Sequence, residues 1–181
     1  MKWFIFRIIR DHFNSLEPKW NIVMHVVPTI ACIPFMFFHF KISQGQLGAI
    51  IAAVSIYSAL MFGILVPASD QCRRLKKYKG GPSPTDTTTE KLRLAQLSNH
   101  YDVAKGILAN ISFSIVISVI DVLFLIVALC LTPDNLSRTF LPSASLNICL
   151  ILGSYFFGLL LVLLLVIVRT IYGSWLEEDE S

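Results

Sequence analysis

One acidic side chain, Asp121, lies near the middle of a long apolar stretch, NISFSIVISVIDVLFLIVALCL, which runs from Asn110 to Leu131. The stretch is long enough to cross a bilayer, which takes about 20 helical residues. A carboxylate that faces lipid at that depth costs on the order of 3 kcal/mol or more. We therefore expect Asp121 to face other helices or a water-filled cavity.

Three further polar side chains share the helical face of Asp121. Reading back from it, Ser118, Ser114 and Asn110 follow at spacings of three, four and four residues, which place all four on one side of a helix. This polar stripe is compatible with two interpretations. In the first, the stripe is a proton or cation site, and in a symmetric oligomer the copies of Asp121 would form a ring of carboxylates. In the second, Asp121 joins helices by hydrogen bonds. No second charged residue is predicted at that depth, which weakens a transporter function.

The rest of the chain predicts the helices that position this stripe. Of its 181 residues, 55% are hydrophobic and only 15% are charged, and the mean hydropathy is +0.67. These values indicate an integral membrane protein with an all-α fold. Four apolar runs predict transmembrane helices at residues 22–40, 46–66, 107–131 and 146–168 of a single membrane domain.

The basic residues predict the orientation of these spans. They concentrate before the first span and between the second and third, and Arg169 follows the fourth, whereas the other two connections hold only Lys41 and Arg138. By the positive-inside rule, both termini and the segment 68–106 face the cytoplasm. The acidic tail, 170–181, is then cytoplasmic, and its last residues, 177–181, are expected to be disordered.

Residues 1–17 predict an amphipathic helix that lies in the membrane interface. An apolar face opposes a charged face that includes Arg7 and Arg10. The apolar face consists of Phe4, Ile5, Ile8, Ile9, Phe13 and Leu16. The helix either anchors the first span at the cytoplasmic surface or disturbs or senses membrane curvature.

The first span carries His25, Thr29 and Cys32 on one face, which we expect to point inward. Within it, His25 either pairs with Asp121 or bonds a backbone carbonyl or interfacial water.

The second span carries a stripe of small residues at three- and four-residue steps, which permits close approach of helix backbones in lipid. This small-residue stripe consists of Gly48, Ala52, Ser55, Ala59 and, slightly offset, Gly63. We expect it to pack against another helix, either in the same subunit or in a second one.

The segment 68–106 predicts a cytoplasmic helical hairpin. Its first arm continues past Pro67 as far as Gly80-Gly81, and Thr87 with Glu90 forms a capping-box pattern that starts the second arm.

The first arm carries a basic run: Arg73, Arg74, Lys76, Lys77 and Lys79. The run fits a topological signal, a surface for anionic lipid headgroups, or a docking site for a soluble protein or the acidic tail. Direct nucleic-acid binding is not expected, because the one aromatic residue in the run, Tyr78, does not interleave it in a way that favours base stacking.

No pattern in the sequence indicates an enzyme. There is no nucleophile elbow, no phosphate-binding glycine loop and no histidine pair with metal-ligand spacing. The four scattered cysteines predict free thiols, with Cys130 and Cys149 as the one pair near the same membrane face. Neither a cofactor nor a metal is expected.

Two stretches, AAVSIYSALMFGILV in the second span and ANISFSIVISV at the start of the third, resemble the small four-helix membrane subunits of bacterial anti-phage defence systems, first among them that of the Kiwa system. The resemblance implies a non-enzymatic homo-oligomer in the bacterial inner membrane that holds a soluble, DNA-binding partner. The leading hypothesis is such a scaffold, with the hairpin as its docking site. The alternative is an ion-conducting or pore-forming protein in which Asp121 lines the path.

Overall fold

The computed structural model describes residues 2–16, 18–37, 43–78, 87–132 and 143–179. The regular elements of these residues are all helical, which confirms the predicted all-α class. In chain order they are α1 (Lys2–Ser15), α2 (Pro18–Phe37), α3 (Gln44–Leu75), a 3₁₀ turn (Lys76–Tyr78), α4 (Thr88–Leu131) and α5 (Ser143–Asp179).

Three of these helices are long and apolar enough to cross a membrane, which indicates a multi-pass membrane protein. They are found at Gln44–Tyr78, Thr88–Leu131 and Leu146–Gly173, and they contain the predicted second, third and fourth spans. Helix α2 overlaps the predicted first span, but its apolar part within the described residues, Lys19–Ile33, is shorter than a span. Residues 38–40 of that predicted span lie outside the described residues.

Side-chain caps fix where α3 and α4 begin. At α3, the backbone N–H of Ser43 donates to Gln46 Oε1 (2.9 Å), and the N–H of Gln46 donates back to Ser43 Oγ (3.3 Å). This reciprocal pair satisfies two N–H groups that the first helical turn leaves without partners. At α4, the N–H of Glu90 donates to Thr87 Oγ1 (3.4 Å), so the predicted start at Thr87 is confirmed.

The long helices continue through positions where a helix is easily interrupted. Pro67 lies inside α3, which continues past it to Leu75 and is followed by the 3₁₀ turn. The predicted end of this arm at Gly80-Gly81 lies outside the described residues. Helix α5 extends to Asp179, so the expectation of disorder is wrong for residues 177–179. Leucine and glutamate are both strong helix formers, and nothing in WLEED breaks the helix that precedes it.

The chain divides into two compact units. The first comprises Met1–Glu17, Phe62–Phe113 and Leu165–Ser181, and the second comprises Pro18–Met61 and Ser114–Leu164. Each unit thus takes a part of α3, α4 and α5, with α1 in the first unit and α2 in the second.

In the second unit, α2 and α3 each bury one narrow line of side chains. Helix α2 buries Met24, Pro28 and Cys32, and α3 buries Leu47, Val54 and Met61 at seven-residue intervals. The expectation for α2 holds only for Cys32, because His25 and Thr29 are exposed. Helices α4 and α5 supply most of the remaining core, including Leu125, Ala128, Leu160 and Leu163.

Candidate functional site

All four residues of the polar stripe are buried. Asn110 is 3% exposed, and Ser114, Ser118 and Asp121 are 0% exposed. A stripe in the middle of α4 therefore faces protein, while apolar side chains such as Val119 and Leu123 on the same helix remain exposed. Because polar groups are costly to place in lipid, a membrane helix is expected to bury its polar face and expose its apolar face, as α4 does.

Asp121 differs from the other stripe residues because its carboxylate has no hydrogen-bond partner. Both oxygens are buried, and neither is bonded to any group in the described part of the chain. The helix next to it approaches closely: a methyl group added to Gly153 on α5 would lie 3.7 Å from Asp121 Oδ1 and 2.9 Å from Leu125 Cδ2. Asp121 is thus buried next to Gly153, and its oxygens form no hydrogen bond to a neighbouring helix within the described residues.

The proposed pair between His25 and Asp121 is not formed. The Nδ1 atom of His25 lies 2.9 Å from the hydroxyl oxygen of Tyr155 on α5. A tyrosine hydroxyl can serve as donor or acceptor to an imidazole, so this contact satisfies the nitrogen in either tautomer.

Polar contacts elsewhere in the second unit join α4 to α3 and α2 to α5. Ser118 Oγ lies 2.8 Å from the carbonyl oxygen of Ile115 on its own helix and 3.0 Å from Ser58 Oγ on α3. Between α2 and α5, Cys32 Sγ lies 3.3 Å from Ser154 Oγ. Hydroxyl and thiol contacts of this kind hold helices together in lipid, where each is worth roughly 1 kcal/mol.

Asn110, at the other end of the stripe, belongs to the first unit and binds α1. Its Oδ1 atom lies 2.7 Å from Nδ1 of His12 and 3.2 Å from Oγ of Ser15. The His12 ring also stacks on Phe113 of α4, with ring centroids 4.0 Å apart and planes 15° from parallel. Helix α1 is therefore attached to α4 by a buried hydrogen bond and a ring stack.

His12 was not singled out in the sequence, although its spacing contains a signal. It follows Ile5, Ile8 and Ile9 at intervals of seven, four and three residues and precedes Leu16 by four, so it lies within the apolar face of α1. A single histidine on such a face needs a polar partner when the face is buried.

The small-residue stripe of α3 is not packed against any of the described residues. All five of its residues are exposed, and a methyl group added to Gly48 or Gly63 would meet nothing within 4 Å. Helix α3 makes its contacts inside the chain through the line of Leu47, Val54 and Met61 instead.

The basic run is exposed over its described length. Arg73, Arg74, Lys76 and Lys77 are all solvent-accessible, and Lys79 lies outside the described residues. The one cation–aromatic contact in the run is local, with Lys77 Nζ 4.8 Å from the centre of the Tyr78 ring.

The chemistry available at the stripe is that of a buried acid without a hydrogen-bond partner among the described residues. Asp121 can gain or lose a proton, or approach a desolvated cation, without first breaking a hydrogen bond within the described part of the chain. In the described ranges, no group of three or more His, Cys, Asp or Glu residues is placed to hold a metal ion. All four cysteines are free.

In comparisons with known proteins, no family model, no curated protein and no solved structure matches this chain.

Proposed function

We propose that the protein is a non-enzymatic scaffold of the bacterial inner membrane, with four transmembrane helices including α2 and with both termini in the cytoplasm. In this proposal α1 lies in the membrane interface, the chain forms a homo-oligomer, and the cytoplasmic segment 68–106 holds a soluble protein. The resemblance to anti-phage membrane subunits suggests that this partner is encoded by a neighbouring gene and acts in phage defence.

The observation that carries this proposal is the exposed positive charge of the basic run. Arg73 and Arg74 are exposed near the end of α3, and Lys76 and Lys77 are exposed in the 3₁₀ turn that follows it. None of the four forms an ion pair within the described part of the chain. Four exposed cations on a short helical segment favour an external acidic surface, which they would attract and orient.

The docking site is tested by replacing Arg73, Arg74, Lys76 and Lys77 together with alanine and measuring co-purification of the neighbouring gene's soluble product. We expect recovery of the partner to fall at least about tenfold, since loss of several rim charges lowers both the association rate and the affinity. The matched control exchanges Arg for Lys and Lys for Arg at the same positions, which keeps the charge and the topological signal. Unchanged recovery with the alanine variant would exclude this segment as the docking site.

A second candidate function is supported by Asp121. If Asp121 joined helices by hydrogen bonds, its carboxylate oxygens would need a hydrogen-bond partner, and they have none among the described residues. The second function is therefore conduction of protons or cations, with Asp121 in the path.

Asp121→Asn separates the two functions. In liposomes containing the purified protein, conduction predicts that this variant abolishes proton or cation flux, whereas the scaffold function predicts no specific flux in either protein and unchanged partner recovery. Asp70→Asn serves as the control, because Asp70 is an exposed acid on α3. A specific flux that persists in Asp121→Asn would contradict the conduction candidate.

A further inference from the structure

We infer that the first unit contains a binding site for one zwitterionic phospholipid whose headgroup carries a primary ammonium. The site begins with a cavity of about 440 Å³ between α1, α4 and the end of α5. Its lining mixes polar and apolar groups and contains two carboxylates, Asp11 and Asp102, and one ammonium, Lys105. Amide and hydroxyl groups of Asn14, Ser15 and Thr170 line it as well.

A second cavity, of about 320 Å³, shares residues with the first. Asp11, Lys105 and Ala109 line both. The second cavity is otherwise mainly apolar, with Ile8 of α1, Leu65 of α3 and Leu108 of α4 in its wall, and Arg7 joins Lys105 as a second cation there. The first cavity is therefore the more polar of the two, and the second is mainly apolar. Lys105 lines both, and Arg7 lines the second.

This arrangement matches the order of groups in a phospholipid. A primary ammonium fits the carboxylates of Asp11 and Asp102, the phosphodiester fits Lys105 and Arg7, and an acyl chain fits the apolar wall. Asp102 and Lys105 are both exposed, and neither forms an ion pair within the described ranges, where Arg7 and Asp11 make the recorded pair at 3.7 Å. Both groups are thus available to an incoming ligand.

The depth of the site supports a lipid over a soluble molecule. Each of the three long helices contributes residues where its apolar run meets its polar part: Leu65 and Ser69 flank the end of the run in α3, and Lys105 and Leu108 flank its start in α4. Thr170 follows the end of the run in α5 at Val168. Phospholipid headgroups lie at this boundary.

The test measures binding of defined lipids to the delipidated full-length protein by native mass spectrometry. Phosphatidylethanolamine is compared with phosphatidylcholine, whose trimethylammonium has no N–H to donate, and with phosphatidylglycerol, which has no cation. We expect phosphatidylethanolamine to bind about fivefold more tightly than either, as roughly one favourable charge contact predicts. Asp102→Asn should remove most of this preference, and Lys105→Gln should weaken all three lipids.

Asp70→Asn and Arg93→Gln are the matched controls, since both residues are exposed and neither lines the cavities. Equal binding of the three lipids, or a preference unaffected by Asp102→Asn, would overturn the inference. Free phosphoethanolamine is included at the same concentrations. If it binds as tightly as the lipid, the site takes a soluble phosphate compound and the lipid assignment fails.

Discussion

The buried contact between His12 and Asn110 couples a side chain of the first helix to one of the fourth. Their atoms are 2.7 Å apart, and both residues are almost entirely removed from solvent. A buried polar group that loses its partner keeps the cost of its own desolvation, which is about 1–3 kcal/mol. The contact therefore makes each residue dependent on the other.

We predict that Asn110→Ala lowers the free energy of unfolding by about 2 kcal/mol. His12→Phe preserves an aromatic ring beside Phe113 but removes the hydrogen bond, and it should be destabilising as well. Because both changes remove the same bond, the double variant should lose less than the sum of the single losses. Unfolding of the purified protein in detergent measures all three, with Arg10→Gln, an exposed site on α1, as control. Additive losses would show that the two side chains are not coupled.

At the scale of single residues, the sequence predicts which side chains are buried but not which atoms they contact. The spacing of Asn110, Ser114, Ser118 and Asp121 follows from helix geometry alone, so their shared face was predictable. The partner of Asn110 is 98 residues away along the chain, and that of Ser118 is 60 residues away. Such pairs depend on how helices dock, which local periodicity does not encode.

At the scale of helices, α2 and α5 of the second unit approach each other closely at Gly158. A methyl group added to Gly158 would lie 3.3 Å from Cβ and 3.4 Å from Cα of Pro28. Proline Cα belongs to the backbone and its ring is rigid, so the neighbour can yield little. Glycine is needed here for packing.

We predict that Gly158→Ala destabilises the protein by about 1–3 kcal/mol, the usual cost of overfilling a packed interior. Gly173→Ala makes the same chemical change on the same helix where nothing lies within 4 Å, and it should cause no loss. Thermal unfolding in detergent compares the two variants. Equal stability would mean that the two helices separate freely at this point.

Helix boundaries were predictable where a side-chain motif marks them. Thr87 and Glu90 indicate the start of α4. Ser43 and Gln46 are the same kind of signal for the start of α3. The face that α3 presents to its own chain was less predictable. Both the small-residue stripe and the line through Leu47, Val54 and Met61 have helical spacing, and only the docked helices distinguish between them.

For the whole molecule, the exposed small-residue stripe supports assembly of several copies. Larger side chains would make more dispersion contacts with lipid tails, whereas small residues allow another helix backbone to come close. Within the described part of a single chain no helix covers the stripe, because all of its residues are exposed.

We predict that a cysteine at Ala52 forms a disulfide with a second copy in native membranes. The experiment uses a variant in which the four native cysteines are replaced by alanine. Val54→Cys is the control, because Val54 is only 1% exposed and faces its own chain. Oxidised dimers on a denaturing gel should appear for Ala52→Cys and not for Val54→Cys. Absence of dimers at both Ala52 and Ala59 would contradict assembly through this stripe.

The attachment of α1 also sets an order of events during synthesis. His12 is made early, but Asn110 emerges only 98 residues later, which corresponds to about 5–20 s at typical translation rates of 5–20 residues per second. During that interval the imidazole has water as its partner in place of the amide. Docking of α1 on α4 is therefore a late step in biogenesis, and a ribosome that stalls before residue 110 leaves the first helix without its binding site.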